Sequence, residues 1–235
     1  MVKVEGVSKK YHNKTVVDDI SFNLTKGSII GFLGPNGAGK TTTMKMLSGN
    51  IQPDSGSIEI FNKNIIKNRL DVQKLIGYLP EAPGGFHKLT VKEFLIFCCQ
   101  SRTFSNKQIK QALDSVCSLI DLEPILDQRL ELLSKGWKQR AWLAQAIIHD
   151  PPILFLDEPS DGLDLNQKDQ LRKVIQQMSK DKVIMITTHI LDEIEEMCEH
   201  IIMIANGKIV ADEELNILIK KIGSIHQVFR KLTNS

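Results

Sequence analysis

Runs of apolar residues at 29–33, 153–156, 183–187 and 201–204 lack polar alternation. Such runs predict strands buried on both faces, the habit of a parallel sheet. Between and beyond them the spacing changes. Leu171, Val174, Ile175 and Met178 fall at i, i+3, i+4 and i+7, and Ile190, Ile194, Met197 and Cys198 form a similar stripe. Both stripes predict helices with one buried face. Strands alternating with helices imply a mainly parallel sheet covered on both sides, an α/β fold.

The N-terminal part has another rhythm. Ile20, Phe22 and Leu24 alternate with Asp19, Ser21 and Asn23, and Ile58 and Ile60 flank Glu59. This pattern suits an antiparallel sheet with one covered face, so residues 1–30 and 56–80 are expected to form a β-rich layer beside the core. Residues 90–148 carry helical spacing only, over 91–102, 107–120 and 137–148. Pro80, Pro83, Gly84 and Gly85 punctuate the start of this block, and Asp150-Pro151-Pro152 closes it. It reads as a helical insertion. Past Gly207 the tail to Ser235 predicts one or two short amphipathic helices packed on the core.

Chemistry enters at Gly34-Pro35-Asn36-Gly37-Ala38-Gly39-Lys40-Thr41-Thr42, which follows the run at 29–33 and opens a helix over 40–47. Gly34, Gly39, Lys40 and Thr41 fit the spacing of a phosphate-cradling loop in the strand–loop–helix setting it requires. The glycines let backbone N–H groups approach phosphates, and the helix N-terminus adds partial positive charge. Lys40 would reach the β- and γ-phosphates, and Thr41 would give its hydroxyl to Mg²⁺. The run at 153–156 ends in Asp157 and Glu158. With Lys40 in the same chain, Asp157 is the expected Mg²⁺ partner and Glu158 the group that polarises an attacking water. Two readings stand at His189, a polar loop residue or a hydrogen-bond partner of the γ-phosphate. Two also stand at Ser134-Lys135-Gly136, a capped surface helix or a second anion site. A second phosphate site on another lobe would imply two subunits meeting over one nucleotide.

Bulk composition narrows the class further. The 235 residues carry 30 basic and 28 acidic side chains, a balance that argues against a dedicated nucleic-acid binder. Cys98, Cys99, Cys117 and Cys198 form no C-x-x-C pair and suit buried thiols in a reducing compartment. The N-terminus lacks a signal-peptide layout, and no apolar run approaches the length of a bilayer span. A soluble cytoplasmic protein is expected, touching a membrane only through a partner.

Taken together, these motifs resemble the ATP-binding subunit of ATP-binding cassette (ABC) transporters, over nearly the whole chain. Asp157-Glu158 is similar to the family's Walker B motif and catalytic glutamate, and Leu133-Ser134-Lys135-Gly136-Trp137 to its signature. Pro159-Ser160-Asp161-Gly162-Leu163-Asp164 resembles the loop coupling two subunits, His189 the switch histidine, and Tyr11 the aromatic residue that stacks on adenine. The resemblance implies a P-loop NTPase (RecA-like) core with an antiparallel β subdomain and an inserted α-helical subdomain. One ABC ATPase domain would span 1–235, with 1–85 and 150–235 as the nucleotide-binding core and 86–149 as the helical signature subdomain. It further implies ATP and Mg²⁺, and a head-to-tail dimer in which ATP lies between one copy's loop and the other's Ser134 and Gly136. A polytopic membrane permease would hold the dimer at the inner face of the membrane.

Departures from the family pattern are informative. Lys135 and Trp137 replace a usual glycine and glutamine, Glu81 stands where a glutamine near Mg²⁺ and water is usual, and Asp161 where small residues are usual. Leu-Ser-Lys-Gly and Tyr78-Leu79-Pro80-Glu81 resemble subunits driving ABC-2-type exporters. An ABC ATPase of a soluble machine, such as iron–sulfur cluster assembly, is the alternative.

Overall fold

Two sheets enclose one helix, and that helix begins at the phosphate loop. The computed structural model describes residues 1–233. An antiparallel sheet of order β2-β1-β4-β5 is built from β1 (Val2–Tyr11), β2 (Lys14–Leu24), β4 (Ser55–Ile60) and β5 (Lys63–Asn64). The second sheet, in the order β10-β9-β3-β8-β7-β6, contains β3 (Ile29–Leu33), β6 (Ile76–Leu79), β7 (Ile153–Asp157), β8 (Val183–Thr187), β9 (His200–Ala205) and β10 (Lys208–Glu214). Its strands pair in parallel except β10, which runs antiparallel along β9. Helix α1 (Lys40–Leu47) lies between the sheets, with Met44, Met46 and Leu47 fully buried, and the short α2 (Arg69–Gln73) precedes β6.

The apolar runs are continuous because both faces of the parallel sheet are covered. Ile30, Phe32, Ile153, Phe155, Val183 and Met185 pack toward α1 and the antiparallel sheet. Leu33, Leu154, Leu156, Ile184 and Ile186 alternate with them and pack toward the helices on the opposite face. The helices that share this core include α3 (Val91–Gln100), α4 (Asn106–Ile120), α5 (Lys135–Ile147), α6 (Leu165–Ser179) and α7 (Leu191–Met197). Capping boxes at Thr90/Glu93, Ser105/Gln108 and Asp164/Gln167 fix the starts of α3, α4 and α6 by satisfying free N–H groups.

Two boundaries differ from expectation. The tail expected to be helical past Gly207 begins with β10, whose alternating positions pair it to β9 at the sheet edge. Residues 76–79 fall within the expected β-rich layer, yet β6 pairs in parallel with β7 at the edge of the core sheet. A Cβ on Gly77 would stand 2.1 Å from the Ala146 carbonyl oxygen, so the glycine admits α5 close against the strand. That glycine interrupts the apolar run that would have revealed the strand. The tail forms α8 (Leu215–Ile222) and α9 (Ile225–Thr233), with Leu215, Leu218, Ile225 and Val228 buried as the amphipathic pattern requires. Residues 234–235 lie outside the described residues. Among the described residues no helix is long and apolar enough to cross a membrane.

Strand order places the chemistry. In the core sheet β8 lies between β3 and β7. The loop leaving β3 and the acids ending β7 therefore meet at the C-terminal edge of the sheet, where open α/β folds hold ligands.

Candidate nucleotide-binding and hydrolysis site

The loop after β3 adopts a conformation that its sequence dictates. Gly39 has φ 111°, and a Cβ there would approach the Val16 carbonyl oxygen to 2.8 Å. Among the described residues no side chain caps α1, which leaves its first N–H groups available to an anion. Lys40 Nζ folds back to donate to the carbonyls of Gly34 at 2.7 Å and Pro35 at 3.2 Å. Burial pulls the Lys40 ammonium below its ordinary pKa, while Glu158, Asp157 and Glu81 oppose that shift.

A cavity of about 310 Å³ opens over this loop. It is lined by Asn36, Gly37, Gly39, Lys40, Thr41 and Thr42 on one side and by Glu81, Asp157 and Glu158 on the other. Val16 of β2 also lines it, a contact that no local motif announced. Pro35 Cα–C=O and Ala38 complete the loop itself, Ala38 N–H donating to the Pro35 carbonyl at 3.1 Å.

Asp157 is buried, and burial pushes its carboxyl above the usual pKa, against stabilisation by Thr187 and Thr41. Its Oδ1 accepts a 2.6 Å hydrogen bond from the Thr187 hydroxyl, whereas its buried Oδ2 has no hydrogen-bond partner among the described residues. An orphaned carboxylate oxygen beside the Thr41 hydroxyl fits a hard divalent cation. Such a pair of oxygens fits Mg²⁺, which takes one or two protein groups and draws its other ligands from phosphate and water.

Glu158 sits one residue further in a left-handed conformation, φ 52°, uncommon for a side-chain-bearing residue. Its N–H is held by the Thr187 carbonyl at 3.2 Å and the Thr187 hydroxyl at 3.0 Å. Its Oε2 accepts from the His189 backbone N–H at 3.2 Å and from His189 Nδ1 at 2.8 Å. A carboxylate only accepts, so Nδ1 carries the proton. Burial raises the Glu158 pKa, and the bonds from His189 partly offset this. Both sequence readings of His189 left this pair out, because Glu158 and His189 lie on different strands' ends.

Thr187 is the residue that sequence reasoning missed. Fully buried at the end of β8, it bonds Asp157 and Glu158 together. A hydroxyl closing a fully buried strand was the available signal, since such groups need partners. Thr187→Val keeps the shape and orphans Asp157 Oδ1, so a loss of about 1–3 kcal/mol is expected in urea unfolding. An unchanged midpoint would show that the bridge carries no energy.

The remaining candidates lie apart from the cavity. Tyr11 ends β1, is 43% exposed and is not among the cavity-lining residues; the Lys9 ammonium stands 5.9 Å from its ring centre. Ser134 caps α5, its Oγ accepting from Trp137 N–H at 3.4 Å. A Cβ on Gly136 would stand 2.6 Å from Gln167 Oε1. Neither Ser134 nor Gly136 lines the cavity over its own phosphate loop.

A parallel sheet bearing a phosphate loop on α1, with Asp157 and Glu158 facing it, defines a P-loop nucleoside-triphosphatase with an added antiparallel sheet and a helical insertion. The family profile described as ABC transporter matches residues 17–161. The bacitracin transport ATP-binding protein BcrA of Bacillus licheniformis is 37% identical over 223 residues, covering 94% of this chain and 72% of that protein. The Nod factor export ATP-binding protein I of Bradyrhizobium diazoefficiens is 33% identical over 222 residues, covering 93% and 72%. A solved ATP-binding subunit of an ABC transporter superposes with a TM-score of 0.91 at 27% identity, covering 99% of each chain. A dimeric cassette with ADP and Pi bound shares the fold, with a TM-score of 0.85 at 21% identity over 92% of this chain and 99% of that one. The chain belongs to the ABC transporter family as an ATP-binding subunit, and its reaction is ATP hydrolysis.

Proposed function

We propose that this subunit hydrolyses ATP within a head-to-tail pair and so drives export through a polytopic membrane permease. The observation that carries the reading is the single cavity in which Lys40 and Thr41 face Asp157 and Glu158. Export is supported by the names of the relatives, one a bacitracin transporter subunit and the other a Nod factor exporter subunit.

Hydrolysis is in-line attack of water on the γ-phosphorus. Glu158 accepts the water's proton; its buried carboxylate is more basic than an ordinary one, and His189 Nδ1–H fixes its orientation. Lys40 and the free N–H groups of α1 stabilise the charge spreading over the phosphate oxygens. Thr41 Oγ1 and Asp157 Oδ2 are the atoms that would hold Mg²⁺, which when bound neutralises phosphate charge. Glu81, at the same cavity, adds a third carboxylate beside Asp157 and Lys40. Tyr11 would stack on adenine at the rim.

Ser134 and Gly136 complete the site from a second copy, a reading supported by their absence from the lining of their own cavity. Segment 86–149 acts in this reading as a helical unit carrying the signature against the core formed by 1–85 and 150–235. A groove of about 860 Å³ runs between that unit and the core, lined by Ile51, Leu70, Tyr78, Pro80 and Trp142 among others. Leu70 is 76% exposed there, and Pro80 adjoins Glu81, so a permease segment seated in this groove would press on the site. Such a complex lies on the cytoplasmic face of the membrane.

The dimer is tested by Ser134→Arg in a Glu158→Gln background with ATP present. Size-exclusion chromatography is expected to show the parent as a dimer and the Arg variant as a monomer. An ATP-induced dimer that survives the arginine would remove the signature from the interface. Co-purification of a polytopic membrane protein with this chain from its native membranes tests the permease.

A further inference from the structure

Two residues that depart from the family pattern find each other in the fold. Lys135 opens α5, and its Nζ donates to Asp161 Oδ2 at 2.8 Å across 26 positions of sequence. A lysine in the first turn meets the positive end of the helix dipole, an unfavourable place unless an anion is near. Asp161 is that anion, and the hydrogen bond from Lys135 holds its carboxyl below the usual pKa. The adjoining residue is shaped to the same contact. Gly162 has φ 74°, and a Cβ there would stand 2.3 Å from Lys135 Cδ and 2.5 Å from Cε. The positive φ suits a glycine, and its missing Cβ leaves the lysine stem room to cross the loop.

The pair joins α5 to the turn that begins at Glu158. Asp161 N–H donates to the Glu158 carbonyl at 3.2 Å and closes that turn. One helical turn beyond Lys135, on the same face, buried Gln139 donates to the Glu158 carbonyl at 3.3 Å and to the Pro159 carbonyl at 3.1 Å. The far side of the turn is tied to the core, where Ser160 Oγ donates to Glu193 Oε2 at 2.6 Å. The helix therefore grips the turn at both ends. Gln139 supplies a neutral hold on its first carbonyls, and Lys135 a charged hold on its last side chain.

We propose that Lys135 and Asp161 are positioning residues for hydrolysis, their ion pair carrying the position of α5 to the Glu158 carboxylate. The inference rests on Glu158 being the proton acceptor. Side-chain exposures of 64% and 43% mean that the pair contributes little to global stability, so its loss is read in turnover and not in folding. The left-handed backbone of Glu158 persists only because the surrounding turn holds it, so a shift of that turn moves the carboxylate.

The test is steady-state ATPase activity of the full chain with Lys135→Gln, Asp161→Asn, both together, Lys135→Arg, and Glu158→Gln in parallel. Each single neutral variant is expected to lower kcat about 10-fold, with KM for ATP within about twofold of the parent. The double variant should be no slower than either single one, because both remove the same contact. Lys135→Arg, which keeps the charge, should restore most of kcat. Raising ionic strength from about 0.05 to about 0.5 M should shrink the gap between parent and neutral variants, a response that a charge-independent role would not give. Additive losses, a change confined to KM, or a gap indifferent to salt would overturn the proposal. If Glu158→Gln abolishes hydrolysis while the neutral variants match the parent, this inference alone falls. If Glu158→Gln hydrolyses normally, the proton-acceptor reading falls and takes this one with it.

Discussion

Glu158→Gln is expected to leave ATP bound and to slow hydrolysis by roughly 10²- to 10⁴-fold, the usual worth of a positioned general base. The amide has the size of the carboxylate, and its oxygen can still accept from His189 Nδ1, so the turn has no reason to move. It cannot take a proton from water. Burial already opposes the charged form of Glu158, so the neutral amide should melt at the parent's temperature or slightly above. The pH profile provides a second reading. Hydrolysis requires Glu158 deprotonated, so the parent's rate should fall as pH drops through a pKa above the ordinary glutamate range. The residual rate of the glutamine variant should lack that limb. Single-turnover rates with a nucleotide-binding assay at the same pH check both statements. Parent-like turnover would remove Glu158 from the reaction.

Lys40→Ala should act earlier, on binding itself. The ammonium is the counter-charge to Glu158, Asp157 and Glu81 in one small cavity. Without it, three carboxylates face an incoming triphosphate with only the α1 N-terminus to attract it. Losing one or two charge-assisted hydrogen bonds to phosphate weakens ATP affinity by roughly 10- to 100-fold or more, and like-charge repulsion adds to that. The fold should survive, because the side chain bonds only to the loop carbonyls of Gly34 and Pro35. Calorimetric titration with ATP and with ADP checks the prediction. ADP should lose less, since Lys40 is expected to contact the γ-phosphate as well as the β. Unchanged affinity for both nucleotides would contradict the cradle.

Much of this site was legible along the chain. The run at 29–33 and the glycines, lysine and threonine after it define the loop through local constraints, because spacing within nine residues fixes which N–H groups can converge. The runs at 153–156 and 183–187 matched strands to within a residue, since strands covered on both faces stay continuously apolar up to the polar residues, Asp157 and Thr187, that close them. β6 was hidden because α5 demands Gly77 in its middle, and β10 because its alternating edge pattern resembles a surface loop. The Glu158–His189 pair was legible only as two separate candidates. Nothing local in either residue announces a bond across 31 positions.

The sequence by itself determined that an α/β chain presents a phosphate loop, a strand-end Asp157-Glu158 and a capped signature helix, because periodicity, glycine geometry and capping act within a few residues. Only the tertiary structure decided that β8 runs between β3 and β7, and so that Thr187 ties Asp157 to Glu158. It also decided that Lys135 meets Asp161, two departures that are unrelated when read in a line. Strand order and helix docking depend on the burial of the whole core, to which every element contributes, and no short stretch of sequence holds that information.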